Sequence, residues 1–130
     1  MPHEPELPRP TDAELSILRV IWARGPSTVR EVHDDLSRER PTGYTTILKL
    51  LQIMTEKGLV TRDESTRSHV YTPRLSQDAT QQQLVADLVQ RAFGGSAAQL
   101  VMQALASSPA SADELREIRK LLDERRGARK

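Results

Sequence analysis

Four side chains suited to reading base edges, Thr45, Thr46, Lys49 and Gln52, fall on one side of a single helical stretch. Threonine offers a hydroxyl and a methyl to phosphate or thymine, glutamine can pair with adenine, and lysine reaches guanine or a phosphate. Three arginines bracket the stretch, Arg40 before it and Arg62 and Arg67 after it. Guanidinium groups there would hold phosphate oxygens. From Arg40 to Arg74 there are six basic residues (Arg40, Lys49, Lys57, Arg62, Arg67, Arg74) against three acidic ones (Glu56, Asp63, Glu64), whereas Met1 to Glu39 is acidic. The net charge of the whole chain is only +1, so attraction to nucleic acid has to come from this local excess. Charge alone would fit an ordinary solvated surface. It gains meaning by coinciding with a helix of this composition.

Other chemistries find little support. There is no glycine-rich phosphate loop, and His3, His33 and His69 lack metal-ligand spacing. Asp34 and Asp35 adjoin in sequence but point about 100° apart on a helix, which is no acid–base pair. The chain therefore reads as a non-enzyme that needs no cofactor. Trp22, Tyr44, Tyr71 and Phe93 are the only aromatic residues, too few for RNA readout by stacking once a core has been filled. The absence of cysteine excludes disulfides and thiol chemistry and agrees with a cytoplasmic location. No apolar run approaches a membrane span, so no membrane insertion is expected. The N-terminus, Met1-Pro2-His3-Glu4, has no signal-peptide pattern.

The elements that must position these residues follow from periodicity. Residues 1–10 contain four prolines and read as a flexible arm. A first helix starts at the capping box Thr11-x-x-Glu14, carries the stripe Leu15, Leu18, Ile21 and Trp22, and stops at Gly25-Pro26. A second starts at Thr28-x-x-Glu31, with Val29, Val32 and Leu36 inward, and ends at Arg40-Pro41. The third runs from about Tyr44 to Lys57, stopped by Gly58, with Tyr44, Ile47, Leu50, Leu51 and Met54 on one face. The period then changes to near 2: Leu59–Arg62 and His69–Thr72 predict two strands around the polar turn Asp63–Ser68. Three helices and a hairpin in that order predict a mainly α fold, a winged helix-turn-helix over residues 11–74. Its third helix is shaped for a DNA major groove.

Residues 75–124 repeat a helical pattern three times. The stripes are Leu84, Val85, Leu88, Val89, Ala92 and Phe93; then Ala97, Leu100, Val101, Ala104 and Leu105; then Leu115, Ile118, Leu121 and Leu122. About 50 residues with one aromatic make a thin core alone. A helical dimerisation region is expected, with Leu84, Leu88, Phe93, Leu100, Val101, Leu105, Leu115, Ile118 and Leu122 at the contact. A two-fold dimer would present two third helices to a near-palindromic DNA operator. Residues 125–130 read as a frayed basic tail. The other reading is a winged-helix module that presents the third helix to a protein; near-neutral net charge favours it, and the Thr/Lys face opposes it.

Tyr44-Thr45-Thr46-Ile47, Glu56-Lys57-Gly58-Leu59-Val60, Val70-Tyr71-Thr72-Pro73 and Phe93-Gly94-Gly95-Ser96, in this order and spacing, resemble the penicillinase-repressor family, often called BlaI/MecI. Glu14, Trp22 and Thr28-Val29-Arg30-Glu31-Val32 add to the likeness, which extends from Thr11 to about Leu122. The resemblance implies a homodimeric winged-helix transcriptional repressor whose DNA-facing positions match Thr45, Thr46 and Lys49. In antibiotic-responsive members a membrane-bound sensor metalloprotease triggers cleavage at an Asn–Phe bond in the second C-terminal helix. The matching pair here is Gln103-Ala104, a departure from that pattern. A copper-responsive branch uses cysteine pairs, and this chain has none.

Overall fold

The computed structural model describes residues 8–128. The helices are α1 (Asp12–Arg24), α2 (Val29–Glu39), α3 (Tyr44–Lys57), α4 (Gln77–Ala92), α5 (Ala97–Ser107) and α6 (Ala112–Ala128); the strands β1 (Val60–Asp63) and β2 (Val70–Pro73) follow α3. Both predicted capping boxes form. Thr11 Oγ1 accepts the Glu14 amide at 3.2 Å while the Thr11 amide donates to Glu14 Oε1 at 2.9 Å, and Thr28 and Glu31 repeat the arrangement at α2. Each box satisfies amides that the first turn leaves without intrahelical partners.

Ile17, Leu18 and Ile21 of α1, Val29 and Val32 of α2, Ile47, Leu51 and Met54 of α3, and Leu59, Val60 and Tyr71 of the hairpin form the core. The α1 stripe differs from the predicted one: Ile17 is buried and Leu15 only half-buried. Trp22 is also half-buried, and its indole N–H donates to the Leu75 carbonyl at 3.1 Å. Tyr44, expected inside, is exposed and meets the His33 ring edge-on at 5.8 Å.

Both strands begin one residue later than the sequence suggested. The Leu59 amide donates to the Met54 carbonyl at 2.9 Å, closing the end of α3 across Gly58, which sits at φ +84°. The Leu59 amide is thus spent on the helix cap while its carbonyl accepts the Arg74 amide at 3.0 Å, and the paired register runs from Val60↔Pro73 to Asp63↔Val70. A Cβ on Gly58 would stand 2.9 Å from the tip of Arg74. Gly58→Ala is expected to lower unfolding free energy by about 1–2 kcal/mol, since a left-handed alanine is strained, and a denaturant melt would read it. One further pairing had no sequence signal. Ser27, between α1 and α2, bridges Tyr71 through two hydrogen bonds, 3.0 and 2.8 Å, and acts as a one-residue third strand.

Two compact units divide after Leu84, ten residues later than the division the sequence suggested. The first turns of α4 belong to the winged unit because Thr80 is buried and Gln83 donates to the Pro8 carbonyl at 3.4 Å. The sequence reads residues 1–10 as a flexible arm. Residues 1–7 lie outside the described residues, while Pro8–Pro10 rest on the winged unit, where Lys57 also donates to the Arg9 carbonyl. The second unit holds the rest of α4, then α5 and α6. Gly94 and Gly95 make the left-handed turn between α4 and α5 at φ +57° and +89°; Ser96 caps α5 and Ser111 caps α6. The basic tail is shorter than expected. Arg125 and Arg126 continue α6, where cations favour the negative helix end; residues 129 and 130 lie outside the described residues. Residues 85–127 include no buried side chain.

Candidate nucleic-acid interface

α3 builds the site. Its inward face seats Ile47, Leu51 and Met54 in the core, and this forces Thr45, Thr46, Lys49 and Gln52 outward, where all four are exposed. Its N-terminus differs from those of α1, α2 and α5. The N-cap is Gly43, no side chain caps the first turn, and no acidic residue lies in it. Open amides and the positive helix end therefore face solvent beside Thr45 and Thr46, an arrangement that attracts phosphate.

A groove flanks α3 on each side. One lies between α3 and the wing and is lined by Tyr44, Leu48, Tyr71, Arg30 and Arg67. The other lies toward α1 and the α2–α3 turn and is lined by Arg40, Thr42, Thr46 and Leu50, with Glu39 as its acid. Arg30, Arg40, Lys49 and Arg67 have no acidic partner among the described residues, in contrast to Arg24, which clamps α1 to α2 through Glu31 at 2.9 Å and Asp35 at 3.1 Å. Arg30 was not singled out from the sequence. In one dimension it is an ordinary polar residue in the first turn of α2, and only the fold carries the wing to it.

Arg62 is placed differently from its expected role. It is half-buried within the wing, 3.5 Å from Glu64. The Tyr71 hydroxyl and then the Glu64 carboxylate raise its pKa above the ordinary arginine value. It braces the hairpin and stands apart from Arg67 at the tip. Asp63 shapes that tip by accepting the Ser65 amide at 2.9 Å. This hydrogen bond, with the Ser65 hydroxyl, holds its carboxyl below the usual range. Lys57, counted from the sequence as part of the basic excess, is likewise committed elsewhere: its ammonium donates to Glu14 Oε1 at 2.7 Å.

Glu14 is 2% exposed. Burial pushes its carboxyl up, but hydrogen bonds from Lys57 and the Thr11 backbone and the nearby ammonium charge outweigh this, and its pKa lies below the ordinary 4.5. The pair ties the start of α1 to the end of α3 and so fixes the tilt of the exposed Thr/Lys/Gln face.

Residues 10–124 match the family described as Penicillinase repressor. The chain belongs to the penicillinase-repressor family. Among relatives, it is 35% identical over 88 residues to the transcriptional regulator BlaI of Mycobacterium tuberculosis, a match covering 67% of this chain and 64% of that protein. The chain thus spans somewhat under two thirds of that relative's length. It is 26% identical over 125 residues to the penicillinase repressor of Bacillus licheniformis, covering 96% of this chain and 98% of that one. The solution structure of the DNA-binding domain of the repressor BlaI superimposes with a TM-score of 0.50 at 30% identity, over 57% of this chain and 90% of that domain. These penicillinase-repressor relatives are named as regulators and repressors, and none as an enzyme. Among the described residues, no helix is long and apolar enough to cross a membrane.

Proposed function

We propose that this chain is a cytoplasmic, sequence-specific transcriptional repressor that grips a near-palindromic DNA operator as a homodimer. One observation carries the reading. An uncapped helix N-terminus with exposed Thr45, Thr46, Lys49 and Gln52 lies between two grooves that each hold unpaired arginine. A helix inserted in a major groove has a phosphate strand on either side of it, and Arg40 on one flank with Arg30 and Arg67 on the other meets that requirement. The penicillinase-repressor relatives support the same assignment.

The dimer is supported by the second unit. Leu88, Val101, Leu105, Leu115 and Leu122 are exposed, and Phe93, Leu100 and Ile118 are half-buried. Amphipathic helices whose residues 85–127 include no buried side chain are covered most economically by a second copy. Leu84, grouped with them by periodicity, is half-buried and is the last residue of the winged unit. A sensor protease as the releasing partner rests on family likeness alone. The expected cleavage position, Gln103-Ala104 in α5, does not carry the Asn–Phe pair.

Lys49→Ala is expected to weaken binding to a selected operator duplex by about 1–3 kcal/mol and to relax specificity. Arg67→Ala is expected to weaken all duplexes alike and to reduce the salt slope by about one unit. Gel-shift titrations at several salt concentrations read both. Unchanged affinity in both variants, or salt-independent retention of random duplex, would move the assignment to a protein-binding module.

A further inference from the structure

We propose that Ile53 is a specificity residue that reads the 5-methyl group of a thymine. The inference rests on the DNA-binding reading above and deepens it. Ile53 is 36% exposed on α3 and is absent from the hydrophobic side chains that pack on the core, which from this helix are Ile47, Leu48, Leu50, Leu51 and Met54. It follows Gln52, stands one turn beyond Lys49, and lies two turns beyond Thr46 on the same side of the helix. The fold gives no reason for an isoleucine there. A β-branched residue is a poorer helix former than the lysine, glutamate or glutamine usual at an exposed position.

Single exposed apolar residues are common on protein surfaces. Ile53 differs from them by its continuity with the base-reading strip. It has no charge or donor for a phosphate, so a backbone role does not suit it. The thymine methyl is the apolar group that the major-groove edge offers, and aliphatic side chains are its partners. Ile53 biases the half-site toward thymine at the position it covers.

The test starts from the duplex that the wild-type chain enriches from a randomised pool. Each thymine is then replaced in turn by deoxyuridine, which removes only the methyl group. At one position per half-site the replacement is expected to weaken wild-type binding about three- to fivefold, the size of one methyl withdrawn from water. Ile53→Ala is expected to bind that duplex more weakly and to be indifferent to the same replacement, while Ile53→Val keeps part of the discrimination. Random duplex should bind wild type and Ile53→Ala equally. If every deoxyuridine replacement affects wild type and Ile53→Ala alike, the assignment to Ile53 falls and the repressor reading stands. If the pool yields no enriched sequence, the repressor reading falls and takes this inference with it.

Discussion

Leu105→Glu combined with Leu122→Glu is expected to weaken binding to a duplex carrying two half-sites by about 10²–10⁴-fold while leaving affinity for a single half-site nearly unchanged. The two leucines lie on α5 and α6, and Leu122 is 63% exposed. Removing them therefore costs the isolated subunit little, whereas two carboxylates placed in the proposed dimer contact would resist desolvation and keep the copies apart. The gain from pairing is one of effective concentration: once one subunit is bound, the second searches a small volume for its half-site. Sedimentation should show monomers, and the melting of the winged unit should be unchanged. A variant that remains dimeric, or a wild type that is monomeric and indifferent to the second half-site, would refute the tail-to-tail assembly.

The second large effect is expected at Glu14. Glu14→Ala should destabilise the winged unit by about 2–3 kcal/mol, combining a lost cap and a lost hydrogen bond to a charged group. Lys57, a third exposed, can turn to water and limits the damage. The pH dependence has a definite sign. The folded carboxyl titrates below its ordinary value of 4.5; its stabilisation is therefore complete above that value and vanishes as pH falls through the lower, folded value. The gap between wild type and Glu14→Gln in denaturant melts should be widest near neutrality and close in acid. A gap independent of pH would show that the charge contributes nothing. Because the Glu14–Lys57 tie sets the tilt of α3, operator affinity should fall in Glu14→Ala even where the variant is still folded.

Much of the winged unit was legible because its signals are local. Thr11, Glu14, Thr28 and Glu31 announce two helix starts by spacing alone, and Gly58 marks the end of α3 as the only residue type that takes the left-handed cap without strain. The outward face of α3 was equally readable, since placing Ile47, Leu51 and Met54 inward leaves Thr45, Lys49 and Gln52 no other direction. What escaped depends on distant partners. Glu14 satisfies the same capping pattern whether or not its carboxylate is buried, and nothing near it in sequence points to Lys57. Arg62 and Arg67 read alike as wing cations, although Tyr71 and Glu64 hold only the first. The unit boundary escaped because α4 is one uninterrupted helix, and its beginning is assigned to the winged unit by the burial of Thr80 and the hydrogen bond from Gln83 to Pro8, neither of which is a local signal.

The hydrogen-bonded stitch between Ser27 and Tyr71 has a mechanical corollary. It fastens β2 to the loop that launches α2, so the backbone segments that carry the wing and the start of α2 are tied together. If Arg30 and Arg67 hold phosphates as proposed, their anchor points keep a preset spacing, like the jaws of a caliper, and a duplex whose backbone matches that spacing is favoured.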